Sequence, residues 1–174
     1  MLNQRQIKLK LTLNTLELPS KVECLTDQLV LQRAIYLAQE AGIHLGYYFR
    51  WYLKGPFSNE LSEHIYDFGV IGNDFDHWTL TEEPEIKAKL KQLRVWFAEV
   101  FQFEGEEREK VLDLPACVHF AIKTHMSGST EPGFVQERLK NAGRHLSLEE
   151  VNHALRILQE KGILQLKEPI AQYA

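Results

Sequence analysis

Leu31-Gln32-Arg33-Ala34-Ile35-Tyr36-Leu37-Ala38-Gln39, closed by Gly42, and then Leu45-Gly46-Tyr47-Tyr48-Phe49-Arg50-Trp51-Tyr52-Leu53-Lys54-Gly55-Pro56-Phe57-Ser58 carry the reading of the fold. The first half belongs to a helix predicted over residues 21–41. Val22, Leu25 and Leu29 form one line on it, and Leu31, Ala34, Ile35 and Ala38 another. So wide an apolar arc places the helix at the centre of the core, and Gly42 supplies its stop. The second half is dense in aromatic residues that suit a pleated surface. Alternation puts Tyr47, Phe49, Trp51 and Leu53 on an inward face and Tyr48, Arg50, Tyr52 and Lys54 on an outward one. Gly55-Pro56 is expected to break the strand. Ser58 then caps a short helix over residues 59–68, with Glu60 in its first turn.

Working outward, the N-terminal stretch is open to two readings. Ile7, Leu9, Leu11 and Leu13 alternate with Lys8, Lys10 and Thr12 as in a half-buried strand, yet Ile7/Leu11 and Leu9/Leu13/Leu16 also meet helical spacing. Residues 69–81 read as a loop. Pro84 opens a helix whose stripe is Ile86, Leu90, Leu93, Phe97 and Val100/Phe101, running to about Phe103. Gly105 separates it from a helix over residues 106–126, in which Pro115 is expected to start a new segment or a kink. Residues 127–133 read as a loop and 134–141 as a short helix ended by Gly143. Ser147 caps a helix with Val151, Ala154, Leu155 and Leu158 inward, and residues 163–166 start a strand after Gly162. Helix, turn, longer helix and strand is the order of a winged-helix unit. The predicted architecture is mainly α (α+β). It comprises a helical domain over residues 1–126 with a small antiparallel β-hairpin around residues 48–53, and a winged-helix-like subdomain over residues 127–174 packed on it.

Composition narrows the class. The 174 residues carry a net charge of −4, with the excess acid in the middle: residues 61–113 hold 6 basic and 13 acidic side chains. The flanks are slightly positive and show no basic stripe of the kind phosphate neutralisation demands, so nucleic acid is a disfavoured partner. No apolar run approaches the ~20 residues of a membrane span, and the N-terminus has no signal-peptide pattern. Cys24 and Cys117 make neither a disulfide framework nor a zinc knuckle. A cytoplasmic, membrane-free protein is expected.

No stretch declares a reaction. Cys117 and His119 are two apart, hence on different helix faces, and His125 is off-face from His119, so no nucleophile–base pair is supported. His64 and Asp67 could meet at i, i+3 as a surface pair. Asn73-Asp74-Phe75-Asp76-His77 has metal-like chemistry without the ligand set of a calcium or zinc site, and an Asx-rich turn is its simpler reading. A phosphate-cradling glycine loop, HExxH and GxSxG are all missing. The expectation is a protein without catalytic residues, cofactor or metal. A Cys/His- or metal-dependent hydrolase is the weakest alternative. A DNA-binding regulator is the competing class: Asn152, Arg156 and Gln159 suit base contacts, but Glu149 and Glu150 at the start of that helix would repel phosphates.

The quoted stretch, extended to Leu61, resembles the pattern LQKxxYLxQ…G…LGYxFxWYLxGPYSxxL of the YwgA-like family, an uncharacterised prokaryotic group similar to the Panacea domain of SocA-like antitoxins and phage-associated proteins. The likeness covers about residues 25–68, with Arg33 for the usual Lys and Phe57 for the usual Tyr. The resemblance implies a mostly helical fold with a small hairpin, and a helix for residues 3–16. It also implies that Gln32, Arg33, Tyr36, Trp51, Gly55, Pro56, Phe57 and Ser58 form the structural signature. By analogy it implies binding of a protein partner, such as a toxin encoded nearby, in an antitoxin-like or phage-defence setting. The surface expected to meet that partner is Tyr48, Arg50, Tyr52 and Lys54. A homodimer is compatible with this reading.

Overall fold

The computed structural model describes residues 2–71, 80 and 82–165, residues 69–71 by backbone alone. Helix α1 spans Gln4–Thr15, which decides the N-terminal stretch as a helix. Its start is a capping box: the Asn3 side chain accepts from the Gln6 amide at 2.9 Å, and the Gln6 side chain accepts from the Asn3 amide at 2.8 Å. Leu9, Leu13 and Leu16 follow at helical spacing, each buried.

Helix α2 spans Leu25–Glu40, shorter than the predicted 21–41. The chain enters through an extended Cys24, φ −145°, and the Asp27 carboxylate accepts from the Glu23 amide just ahead of it. Val22 packs on the core from outside the helix. At the other end Gly42 takes φ +110° and the Ile43 amide donates to Ala38 O at 3.0 Å, the glycine-terminated closure expected.

Strands β1 (Arg50–Tyr52) and β2 (Gly55–Phe57) form the antiparallel hairpin, with Arg50 opposite Phe57, Trp51 opposite Pro56 and Tyr52 opposite Gly55. Gly55-Pro56 is thus the returning strand and not a breaker. Proline is tolerated there because its position needs no ladder N–H. Helix α3 spans Asn59–Ile71, running past the predicted end and into the segment read as a loop. The Ser58 hydroxyl accepts from the Leu61 amide at 3.3 Å. Ser58→Ala is expected to cost about 1 kcal/mol, read as a lower urea midpoint with an unchanged slope.

Helix α4 spans Pro84–Val100 and buries Leu90, Leu93, Trp96, Phe97 and Val100. Helix α5 spans Gly105–Lys123 as one helix through Pro115, so the proline does not begin a new segment. Its missing N–H removes one ladder bond, and the buried residues on both sides of it hold the helix together. Helix α6 spans Pro132–Asn141 and α7 spans Leu148–Glu160. Pro132 and Gly133 belong to α6 and not to the preceding loop. Proline suits the first helical position, and the Glu131 carboxylate caps the Gly133 and Phe134 amides at 3.0 and 2.6 Å.

Helix α2 is buried over most of its length and packs chiefly on α5, which also meets β2, α6 and α7. Seven helices and one two-stranded sheet make the described residues mainly α. Residues 163–165 take no strand conformation, so the strand expected after Gly162 does not begin there. Residue 166 and the rest of the expected wing lie outside the described residues. None of the described helices is long and apolar enough to cross a membrane.

Candidate functional site

The signature stretch folds into a brace between α2 and the hairpin. Gln32 and Gln39 are seven apart, two helical turns, and so share one face of α2. Gln32 donates to Ser58 O and accepts from the Ser58 amide, both at 2.9 Å. Gln39 makes the same pair with Tyr47, 2.8 Å to its carbonyl and 3.0 Å from its amide. A primary amide sets a donor beside an acceptor, which is what a neighbouring strand residue would present. The two glutamines therefore clamp both feet of the hairpin.

Between them lies Arg33, with a side chain 1% exposed against 3% for Asp113. Its Nε meets Asp113 Oδ1 at 2.8 Å, Nη1 donates to Pro56 O, and Nη2 reaches toward Leu53 O at 3.5 Å. The second Asp113 oxygen accepts from Arg144, which follows α6. The Cys117 thiol donates to Lys54 O at 3.3 Å. One buried carboxylate thus joins two guanidinium groups, and three carbonyls of the hairpin are held by side chains from α2 and α5.

These bonds hold a strained turn. Leu53 and Lys54 are the two loop residues, at φ +50° and +60°. That is the type I′ arrangement, which normally takes Asn-Gly because a Cβ in the left-handed region costs about 1–2 kcal/mol per residue. Gly55 itself does not sit at positive φ, contrary to the usual reason for a turn glycine. It is needed for space: a Cβ there would lie 2.7 Å from the Arg33 guanidinium carbon.

Tyr48, Arg50 and Tyr52 face outward as the alternation predicts, and Lys54 is exposed as a turn residue. Tyr48 is 81% and Tyr52 48% exposed, and Arg50 and Lys54 are exposed. Tyr47 and Phe49 are buried. Trp51 is half-buried, its Nε1 donating to Ala142 O at 3.2 Å and its ring 5.9 Å from that of Phe120. Leu53 departs from the prediction at 43% exposed. It belongs to the turn, where strand alternation no longer applies. The Arg50 guanidinium lies over the Tyr52 ring at 5.9 Å. Tyr48 and Arg50 wall two clefts, one of about 430 Å³ toward α5 and one of about 250 Å³ toward Phe57 and the start of α3. A larger cleft, about 830 Å³ between the start of α2 and α3, includes none of the signature residues.

Two buried tyrosine–histidine pairs complete the brace: Tyr36 Oη to His119 Nδ1 and Tyr47 Oη to His64 Nδ1, each 2.7 Å. Burial pushes the Tyr36 phenol well above its ordinary value and depresses His119 to about 4. His119 is therefore neutral in the fold at a pH where the unfolded chain has begun to protonate it. Its contribution is complete above pH ~6.5 and is lost as pH falls toward 4, about 3 kcal/mol in all. Urea titrations from pH 7 to 4 should show this loss in the native chain, and His119→Gln should flatten the slope over that window.

The side-chain pairings weighed from the sequence, Cys117 with a histidine and His64 with Asp67, do not form. His64 meets Tyr47, while Asp67 accepts from Gln6 at 2.7 Å. Cys117 and His119 have separate partners, burial raises the Cys117 thiol and so disfavours thiolate, and His125 meets Ser127. Among the described residues no three His, Cys, Asp or Glu side chains are placed to hold a metal. Asn73, Asp74, Phe75, Asp76 and His77 lie outside the described residues. Asp113 and the clamping role of Gln39 were not singled out from the sequence, and Arg144 was read only as a basic residue ahead of α7. A lone acid between Leu112 and Leu114, ahead of the apolar run 114–118, is the signal that could have pointed to Asp113. The chain matches no protein-family model and no curated protein.

Proposed function

We propose that the chain is a non-enzymatic protein-binding module whose partner docks on Tyr48, Arg50, Tyr52 and Lys54. The observation that carries this is the turn: two non-glycine residues held in left-handed conformation by a buried Arg33–Asp113–Arg144 network, with Tyr52, Leu53 and Lys54 exposed at its tip. Strain maintained by buried charge is worth its cost where it fixes the geometry of a surface. Exposed tyrosine and arginine are the residue types of which interface hot spots are made. The family resemblance adds the setting, an antitoxin-like or phage-defence role with a toxin encoded nearby as partner and the cytoplasm as compartment. For residues 127–174 we propose a winged-helix-like unit used for packing and not for reading DNA. Its support is the seating of α6 and α7 on α5 and the exposed Glu149 at the start of α7.

The test is co-expression of the tagged chain with the products of neighbouring genes. A co-purifying partner is expected. Arg50→Ala and Tyr52→Ala should each weaken it by about 2 kcal/mol, some thirtyfold, while changing stability by less than about 0.5 kcal/mol. Unfolding of those two variants would mean that the outward face is core. Tight, steeply salt-dependent anisotropy binding to duplex DNA would favour the regulator instead.

A further inference from the structure

The outer edge of β1 offers backbone hydrogen-bonding groups that nothing in the described chain meets. Trp51 stands opposite Pro56, which has no N–H and whose carbonyl is taken by Arg33. Tyr52 and Gly55 flank the two-residue turn and form the closing pair, so Trp51 is a non-hydrogen-bonded position and its N–H and C=O point away from β2. Phe49, two residues earlier, shares that direction. Phe49, outside the strands, makes no backbone–backbone bond among the described residues, and the register leaves Trp51 without one to β2. The other edge is closed: Pro56 O is held by Arg33, both Ser58 backbone groups by Gln32, and Lys54 O by Cys117. On the β1 edge the same closure stops at Tyr47, whose N–H and C=O are held by Gln39.

The cleft of about 430 Å³ follows this open edge. It is lined by every residue from 47 to 51. A cavity over one face of a strand touches alternate residues, as the smaller cleft touches Tyr48 and Arg50 but not Phe49. One that touches each residue in turn runs along the backbone. Its far wall is α5 at Phe120 and Lys123, with Tyr36 of α2 alongside. Lys123 is paired with Glu40, whereas Arg50 has no carboxylate partner among the described residues.

We infer that this edge takes an extended segment of the partner polypeptide as an added third strand beside β1, with an apolar side chain against Trp51 and Phe120 and an acidic residue near Arg50. This rests on the reading of the hairpin as a docking surface and names how the partner is held. Gln39 already supplies the first rung of that ladder at Tyr47, and an incoming strand continues it at Phe49 and Trp51. Main-chain pairing gives such a complex its affinity, and the cleft and Arg50 give it selectivity. A second copy of the chain fits less well, because edge-to-edge antiparallel pairing about a two-fold axis at the middle of the open edge would set two Arg50 side chains directly opposite each other.

The test is selection of displayed random twelve-residue peptides on the full chain, followed by hydrogen exchange at single-amide resolution. Selected peptides are expected to combine an apolar residue with flanking acids and to slow exchange at the Phe49 and Trp51 amides at least tenfold. N-methylation of the peptide at alternate residues should weaken binding more than tenfold, with little effect at the positions between. Arg50→Glu should abolish selection of the acidic peptides. Peptides that lose affinity with Tyr48→Ala but leave the Phe49 and Trp51 amides unprotected would overturn strand addition while sparing the docking face. Failure to enrich any peptide, or dimerisation of the chain that protects those amides on its own, would also overturn it.

Discussion

Asp113→Ala is expected to lower stability by about 3–5 kcal/mol, because it leaves two guanidinium groups, one of them fully buried, without their carboxylate. The loss is not that of an ordinary ion pair. Arg33 cannot withdraw to water, since its remaining nitrogens are committed to hairpin carbonyls. In a chain of this length such a change moves the melting temperature by roughly 10 °C or more. Calorimetry of the variant checks the magnitude. Hydrogen exchange checks the mechanism: the Tyr52 and Gly55 amides, which close the hairpin, should lose protection before those of α2.

Gly55→Ala is expected to cost about 3 kcal/mol, from forcing a methyl group against the Arg33 guanidinium and breaking charge-assisted bonds to the hairpin carbonyls. Positive φ contributes nothing, since Gly55 is not in that region. The two explanations separate in a double-mutant cycle. Arg33→Lys, which removes the guanidinium, should recover at least about 1 kcal/mol of the Gly55→Ala loss. Additive losses would mean that the glycine is required for its backbone and not for space.

Helices were legible wherever one face is apolar and an end carries a known signal: α4 from Pro84, α7 from its Ser147 cap, α2 to Gly42. The errors fall where a local rule meets a tertiary contact. Pro115 was expected to begin a new helical segment or a kink, and the new segment does not occur: α5 is one helix, buried on both sides of it. Gly55-Pro56 should end a strand, but a two-residue turn of Leu and Lys was not foreseeable by a rule that looks for Asn-Gly. The outward positions of Tyr48, Arg50 and Tyr52 were readable from alternation, whereas Lys54 is exposed because it belongs to the turn. The brace behind them was not readable, because Arg33, Asp113 and Arg144 are far apart in sequence and charged residues default to the surface. In the structure Gln32 pairs with Ser58 and Arg33 with Pro56, and Gly55 leaves the space that the Arg33 guanidinium fills.

The turn at Leu53-Lys54 also bears on when the surface comes into being. Its own two residues oppose the conformation they hold, and the groups that impose it come from Arg33, Cys117 and Arg144, the last 90 positions downstream of Lys54. Closing loops of that length is slow relative to helix formation. During synthesis α1 and α2 can form early, while the hairpin tip has no stable shape until α5 and the residue after α6 have emerged and docked. The face proposed for docking is thus among the last features to mature. A nascent or truncated chain ending short of Arg144 would carry every residue of that face without its shape, so the proposed recognition would be confined to finished molecules.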